Sequence, residues 1–98
     1  MKINELCKKA HEISVSNGFW DGLIDTYTIP TKLALIHSEI SEALEEDRIG
    51  SRKIGEELGD AVIRIADLAE FLGIDLEKEI ERKMRINEKR PFKHGKRY

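Results

Sequence analysis

The sequence predicts an all-α fold, a four-helix bundle completed by association with a second copy. Three observations predict it. Apolar residues recur at helical spacing through almost all of the 98 residues. Two prolines, seven glycines, six aromatic residues and few runs of β-branched residues leave little material for a sheet. The segment from Ala61 to Leu72 is apolar on more than one side. A chain of this size buries only about 60 to 65% of the surface its unfolded form exposes, so such a segment implies a seam between subunits.

The first helix is expected over about residues 2 to 17, where Ile3, Leu6, Cys7, Ala10 and Ile13 share a face and Asn17-Gly18 stops it. A loop with Phe19, Trp20 and Gly22 follows. The second helix, about 30 to 47, opens on Thr28-Ile29-Pro30, with proline in the first turn. Its apolar stripe is Leu33, Ile36, Ile40, Ala43 and Leu44, and Ile49-Gly50-Ser51 breaks it. The third spans about 52 to 72 and ends at Gly73, after which Asp75 is the expected N-cap of a fourth helix reaching about residue 89. Pro91 stops that helix. Residues 1–90 read as a single helical domain and residues 91–98 as a basic extension.

Charge is divided unevenly. Residues 1–81 hold 9 Lys+Arg against 18 Asp+Glu, a body near −9, whereas residues 82–98 hold 8 Lys+Arg and only Glu88, a tail near +7. Such a tail suits a solvated arm, a nucleic-acid contact, or closure over a phosphate that cations hold on the acidic body. One cysteine, Cys7, gives no disulfide within the chain and no thiolate metal site. No stretch approaches the roughly 20 apolar residues of a membrane span, and the start Met-Lys-Ile-Asn-Glu-Leu has no apolar signal core. The expectation is a cytoplasmic protein without a membrane partner.

Two pairs of acids carry the chemistry. Glu39 and Glu42 stand three apart on the second helix, and Glu57 and Asp60 three apart on the third, so each pair projects from one side of its helix. Packed antiparallel, the pairs converge, and four facing carboxylates repel unless hard divalent cations sit among them. All-oxygen ligation favours Mg²⁺ or Mn²⁺. A single E-x-x-E on a solvated helix face is common, and Glu45, Glu46, Asp47 and Glu56 are of that kind. Two such pairs on successive helices are more specific. On the fourth helix, Leu76, Ile80 and Met84 mark a core stripe, and at about 100° per residue Lys83 and Asn87 fall within it. Lys83 either snorkels to the surface or meets phosphate, and Asn87 either bonds a neighbouring helix or reads a base or sugar edge. With the carboxylates in view, the second reading of each is the stronger. Ferritin-like di-iron bundles need Glu-x-x-His pairs, which neither acidic pair supplies.

In order along the chain stand Glu39-Ile-Ser-Glu42, Glu56-Glu57-Leu58-Gly59-Asp60, Leu72-Gly73-Ile74-Asp75-Leu76 and Lys83-Met84-Arg85-Ile86-Asn87. This series, from about His11 to Arg90, resembles the MazG-like branch of the all-α nucleoside triphosphate pyrophosphohydrolases, a group related to dCTP pyrophosphatases and dimeric dUTPases. The resemblance implies a four-helix core that forms a dimer or a tetramer of two dimers. It implies Mg²⁺-dependent hydrolysis of an NTP or dNTP to the monophosphate and pyrophosphate, for nucleotide-pool clean-up. Glu39, Glu42, Glu57 and Asp60 match the magnesium ligands and catalytic carboxylates, and Lys83 and Asn87 the phosphate and nucleotide contacts. His11 and Trp20 resemble a pair that lines the base pocket; from the residues alone, Trp20 equally suits a plug over the bundle end and His11 a structural histidine. Arg64 stands where some relatives have an aromatic residue and would contact phosphate instead, with Arg90 as a further phosphate contact. Ser38 stands where some members place a general base, which leaves Glu42, Glu56 or a metal-bound hydroxide for that role. The rival is a non-catalytic helical protein that binds nucleic acid or another partner through its basic tail; the acidic body repels nucleic acid and ranks it second.

Overall fold

The third helix is the axis of the molecule. In the computed structural model, which describes residues 1–98, α1 (Ile3–Ser16), α2 (Thr28–Arg48), α3 (Ile54–Phe71) and α4 (Leu76–Glu88) follow in order, and there is no strand. A short 3-10 turn, Phe92–Gly95, lies beyond them. α3 packs on α1 and on α2, whereas α4 rests mainly on α1. No helix is long and apolar enough to cross a membrane.

Local chemistry fixes the boundaries. α2 starts two residues earlier than expected, because Pro30 is its third residue and the first-turn N–H groups need no helical partner. α1 and α2 end alike: Gly18 and Gly50 take φ of +85° and +71°, and the next residue's N–H returns to a helix carbonyl, Phe19 to Ser14 and Ser51 to Glu46. The five residues between α2 and α3 then turn the chain back, and the two helices run antiparallel. At the other end, Asp75 caps α4 by accepting from the Lys78 N–H at 3.1 Å. Asn4 donates to Asp75 Oδ1 at 2.8 Å and accepts from the Glu77 N–H at 3.2 Å, which clamps the start of α1 to the start of α4. The Asn4 bond, then the Lys78 N–H, holds the Asp75 carboxyl below its usual range.

The core is thin and made of small side chains. Cys7, Ala10, Ala66 and Ala69 are buried between α1 and α3, with Ile3, Leu6 and Leu76 against them. Ala43 and Ala61 are buried on α2 and α3. Burial also pushes the Cys7 thiol up from its ordinary value. Of the expected stripe of α2, Ala43 is buried and Ile36 half-buried, whereas Leu33, Ile40 and Leu44 are exposed within one chain, and Glu39 joins Ala43 on the buried side. Leu58, Val62 and Ile65 of α3 are exposed as well. By helical angle these residues form one apolar strip on each helix, beside the buried Ala43 and Ala61. The α4 stripe fades in the same way, with Ile80 half-buried and Met84 exposed.

Candidate functional site

The antiparallel register of α2 and α3 sets acidic residues opposite one another. Away from the connecting turn, Glu42 faces Glu57, Glu39 faces the Asp60–Arg64 turn, and Lys32 lies at the level of Asp67. Glu39, Glu42 and Glu57 each offer a carboxylate oxygen, and these oxygens lie within 4.8 Å of one another. Asp60 stands outside that group of three but beside it: its charge acts on Glu57, and it lines a cleft together with Glu39.

This cluster is under electrostatic load. Glu39 is buried, and Arg64 Nε donates to its Oε1 at 2.7 Å. Glu39 Oε2 and Glu57 Oε2 are sealed from solvent with no hydrogen-bond partner. A buried carboxylate oxygen without a donor is costly. The Glu57 carboxyl is pushed up to about 7, first by a proton shared with Glu42, then by desolvation and by repulsion from Glu42, Asp60 and Glu39. Hard oxygens, repelling charges and unpartnered lone pairs at one point are the donor set that a Mg²⁺-sized cation fits.

Beside the cluster a cleft of about 350 Å³ opens between α1, α2 and α3. Ile13, Phe19 and Ile63 give it apolar walls, and Glu39 and Asp60 form its acidic end. Asp67, near the C-terminal end of α3, anchors the far wall. Its Oδ1 accepts from His11 Nδ1 at 2.7 Å and from Trp20 Nε1 at 2.9 Å; a carboxylate only accepts, so the histidine nitrogen is the donor. The Trp20 ring stacks on Phe71 at 4.2 Å between centroids, and His11 meets it edge-on at 5.3 Å. Lys32 Nζ sits 4.2 Å from the indole centre and donates to the Phe19 carbonyl at 2.6 Å. The loop after α1 is thus tied down by α2 and α3 at one tryptophan.

The structure therefore brings Glu39, Glu42, Glu57, Asp60 and Arg64 together, and sets His11 and Trp20 on Asp67, which lines the same cleft as Glu39, Asp60 and Arg64. It does not bring Lys83, Asn87 or Arg90 to them within one chain. All three are exposed on α4 or just after it, and Arg90 Nη1 donates to His94 Nδ1 at 3.1 Å. The inward position expected for Lys83 and Asn87 is not taken: α4 makes its main contact with α1, and both residues are exposed. Arg64, expected on phosphate, binds Glu39. Sequence reasoning missed Asp67, Phe71 and Lys32. Asp67 had a signal, a lone acid within the apolar run of α3 one heptad after Asp60; Lys32 had none.

No family model, curated protein or solved structure matches this chain.

Proposed function

We propose that the protein is a Mg²⁺-dependent nucleoside triphosphate pyrophosphohydrolase, cleaving an NTP or dNTP to the monophosphate and pyrophosphate and working as a homodimer or larger homo-oligomer. One observation carries the reading: three carboxylates within 4.8 Å of one another, with two of their oxygens sealed and unpartnered, one of them, Glu39, lining a cleft whose other end is Asp67, the acceptor of His11 and Trp20. Glu39, Glu42 and Glu57 would hold the cations, with Asp60 completing the set from the cleft side. Bound there, Mg²⁺ supplies charge neutralisation of the triphosphate and activation of water.

The remaining work belongs to the chain. Arg64 fixes Glu39 in one rotamer, which holds the acidic end in place before substrate arrives. Glu57, carrying a proton near neutral pH, is the group that must release it as cations enter. The apolar strips on α2 and α3 support the oligomer, since one chain leaves Leu33, Ile40, Leu44, Leu58 and Val62 in water. Association also gives Lys83 and Asn87 a role: exposed on their own chain, they are assigned to the phosphate end of a second copy's cleft.

The test is a panel of the common NTPs and dNTPs plus dUTP, incubated with Mg²⁺ and resolved for monophosphate and pyrophosphate, with EDTA as control. Monophosphate and pyrophosphate in equal amounts support the reading; no turnover of any nucleotide overturns it. The exposed tail, with Phe92 and Tyr98 almost wholly in solvent, favours the second reading, a nucleic-acid-binding arm. Deleting residues 91–98 separates the two, because the enzyme keeps metal binding and the arm loses its function.

A further inference from the structure

Lys32 and Asp67 share the base end of the cleft without closing on each other. Each is held by other partners: the ammonium by the Phe19 carbonyl and the Trp20 ring, and Asp67 Oδ1 by His11 and Trp20. Asp67 Oδ2 takes no donor from the chain, yet unlike Glu39 Oε2 and Glu57 Oε2 it is not sealed from solvent, and both residues line the cleft. Lys32 lies within no ion pair. A cation donor and an anionic acceptor on one indole thus leave room for a group that offers an acceptor to one and a donor to the other.

We propose that Lys32 and Asp67 are a reading pair for the lactam edge of a nucleobase, so that this site selects uracil, thymine or guanine over cytosine and adenine. The inference rests on the pyrophosphohydrolase reading in taking a nucleotide as the occupant of the cleft. Lys32 Nζ donates to the exocyclic keto oxygen, and Asp67 Oδ2 accepts from the adjacent ring N–H. Cytosine and adenine present the reverse pattern, an amino group toward the ammonium and a bare ring nitrogen toward the carboxylate, and both contacts become repulsive. The spacing suits a nucleotide. Lys32 precedes Glu39 by seven residues on α2, and Asp67 follows Asp60 by seven on α3. Seven residues of helix rise about 10.5 Å, comparable with the reach of a nucleotide from its α-phosphate to the far edge of its base. Neither residue touches the reacting phosphorus, so both act on specificity.

Trp20 is the only tryptophan, and its fluorescence reports occupancy of this wall without any need for turnover. The experiment titrates dUMP, dGMP, dCMP and dAMP into the full chain in EDTA, for the wild type and Lys32→Met. The expected result is quenching by dUMP and dGMP with at least about tenfold tighter binding than dCMP and dAMP, and a ratio near one in Lys32→Met. Equal binding of the four, no quenching by any, or a Lys32→Met variant that weakens all four alike overturns the proposal; the last would make Lys32 only an anchor of the loop. The two readings fail separately. Hydrolysis without base preference overturns the reading pair alone, and lactam-selective quenching without pyrophosphate release overturns the activity alone.

Discussion

Removing the charge of Glu57 should change metal binding and stability in opposite directions. Glu57→Gln keeps the shape of the side chain and removes the carboxyl whose ordinary value of 4.5 is pushed up to about 7. In the folded protein between those two values Glu57 holds a proton that the unfolded chain has released. Stability therefore falls as pH rises from about 4.5 to 7, and above 7 the full repulsion of Glu42, Asp60 and Glu39 is present. The metal-free Glu57→Gln protein should accordingly melt above the wild type near pH 8, with the advantage fading below about pH 6. Cations must displace the same proton, so wild-type Mg²⁺ affinity should drop about tenfold per pH unit below 7 and level off above it. The weaker affinity reads directly as a shrinking Mg²⁺-dependent shift in melting temperature at fixed metal concentration. Calorimetry in two buffers of different ionisation enthalpy should count close to one proton released per site near pH 6 and almost none near pH 8.5. A Mg²⁺ response independent of pH across this range, or a Glu57→Gln protein that binds Mg²⁺ as well as the wild type, would refute the coupling of Glu57 to the cation site.

Asp60→Asn should abolish hydrolysis while leaving the helical circular dichroism unchanged; full Mg²⁺-dependent activity would remove Asp60 from the site. Lys83→Met should also be inactive, and mixing it with Asp60→Asn after subunit exchange should restore up to about a quarter of wild-type activity, since hybrid dimers carry one intact site; no recovery would place Lys83 on its own chain's cleft or outside the site. Asp67→Ala should cost about 2 to 4 kcal/mol in urea unfolding, because Trp20 Nε1 and His11 Nδ1 both lose their acceptor, and should shift Trp20 emission in the native baseline. Asp75→Asn should lower the melting temperature at neutral pH and converge on the wild type in acid, since a carboxyl held below its usual range contributes stability above its unfolded value and loses it as pH falls through the folded one.

The helices were legible because their signals are local. Asn17-Gly18, Gly50 and the Asp75 cap act within a few residues of themselves, and the observed ends fall within two residues of those expected. The two acidic pairs were legible for the same reason, since spacing within a helix decides which side chains share a face, and one short connection makes the helices antiparallel. What a helix faces is a tertiary matter. The α2 stripe of Leu33, Ile36, Ile40, Ala43 and Leu44 has the right period for a core, yet within one chain only Ala43 of it is buried, beside Glu39, while Leu33, Ile40 and Leu44 stay exposed. Lys83 and Asn87 fail for the same cause on α4. Asp67 was hidden by its surroundings, because a run of apolar neighbours reads as core whether or not one member is an acid served by His11 and Trp20.

The small residues between α2 and α3 set the spacing on which the cluster depends. Ala43 and Ala61 are buried on α2 and α3, the two helices whose carboxylates come within 4.8 Å of one another, and side chains of one methyl group allow close approach of two backbones. A conventional leucine-filled seam would hold the axes farther apart, favouring stability over the convergence of charges that repel without a cation. Ala61→Leu tests this. Overpacking should cost about 1 to 3 kcal/mol, and the forced separation should ease the repulsion that lifts Glu57. The variant should therefore show a Glu57 carboxyl closer to its ordinary value by NMR titration and a Mg²⁺-induced thermal shift well below the wild type's. If Ala61→Leu is destabilised yet binds Mg²⁺ with unchanged affinity and proton release, the carboxylates do not depend on the close approach of α2 and α3, and the buried alanines serve packing alone.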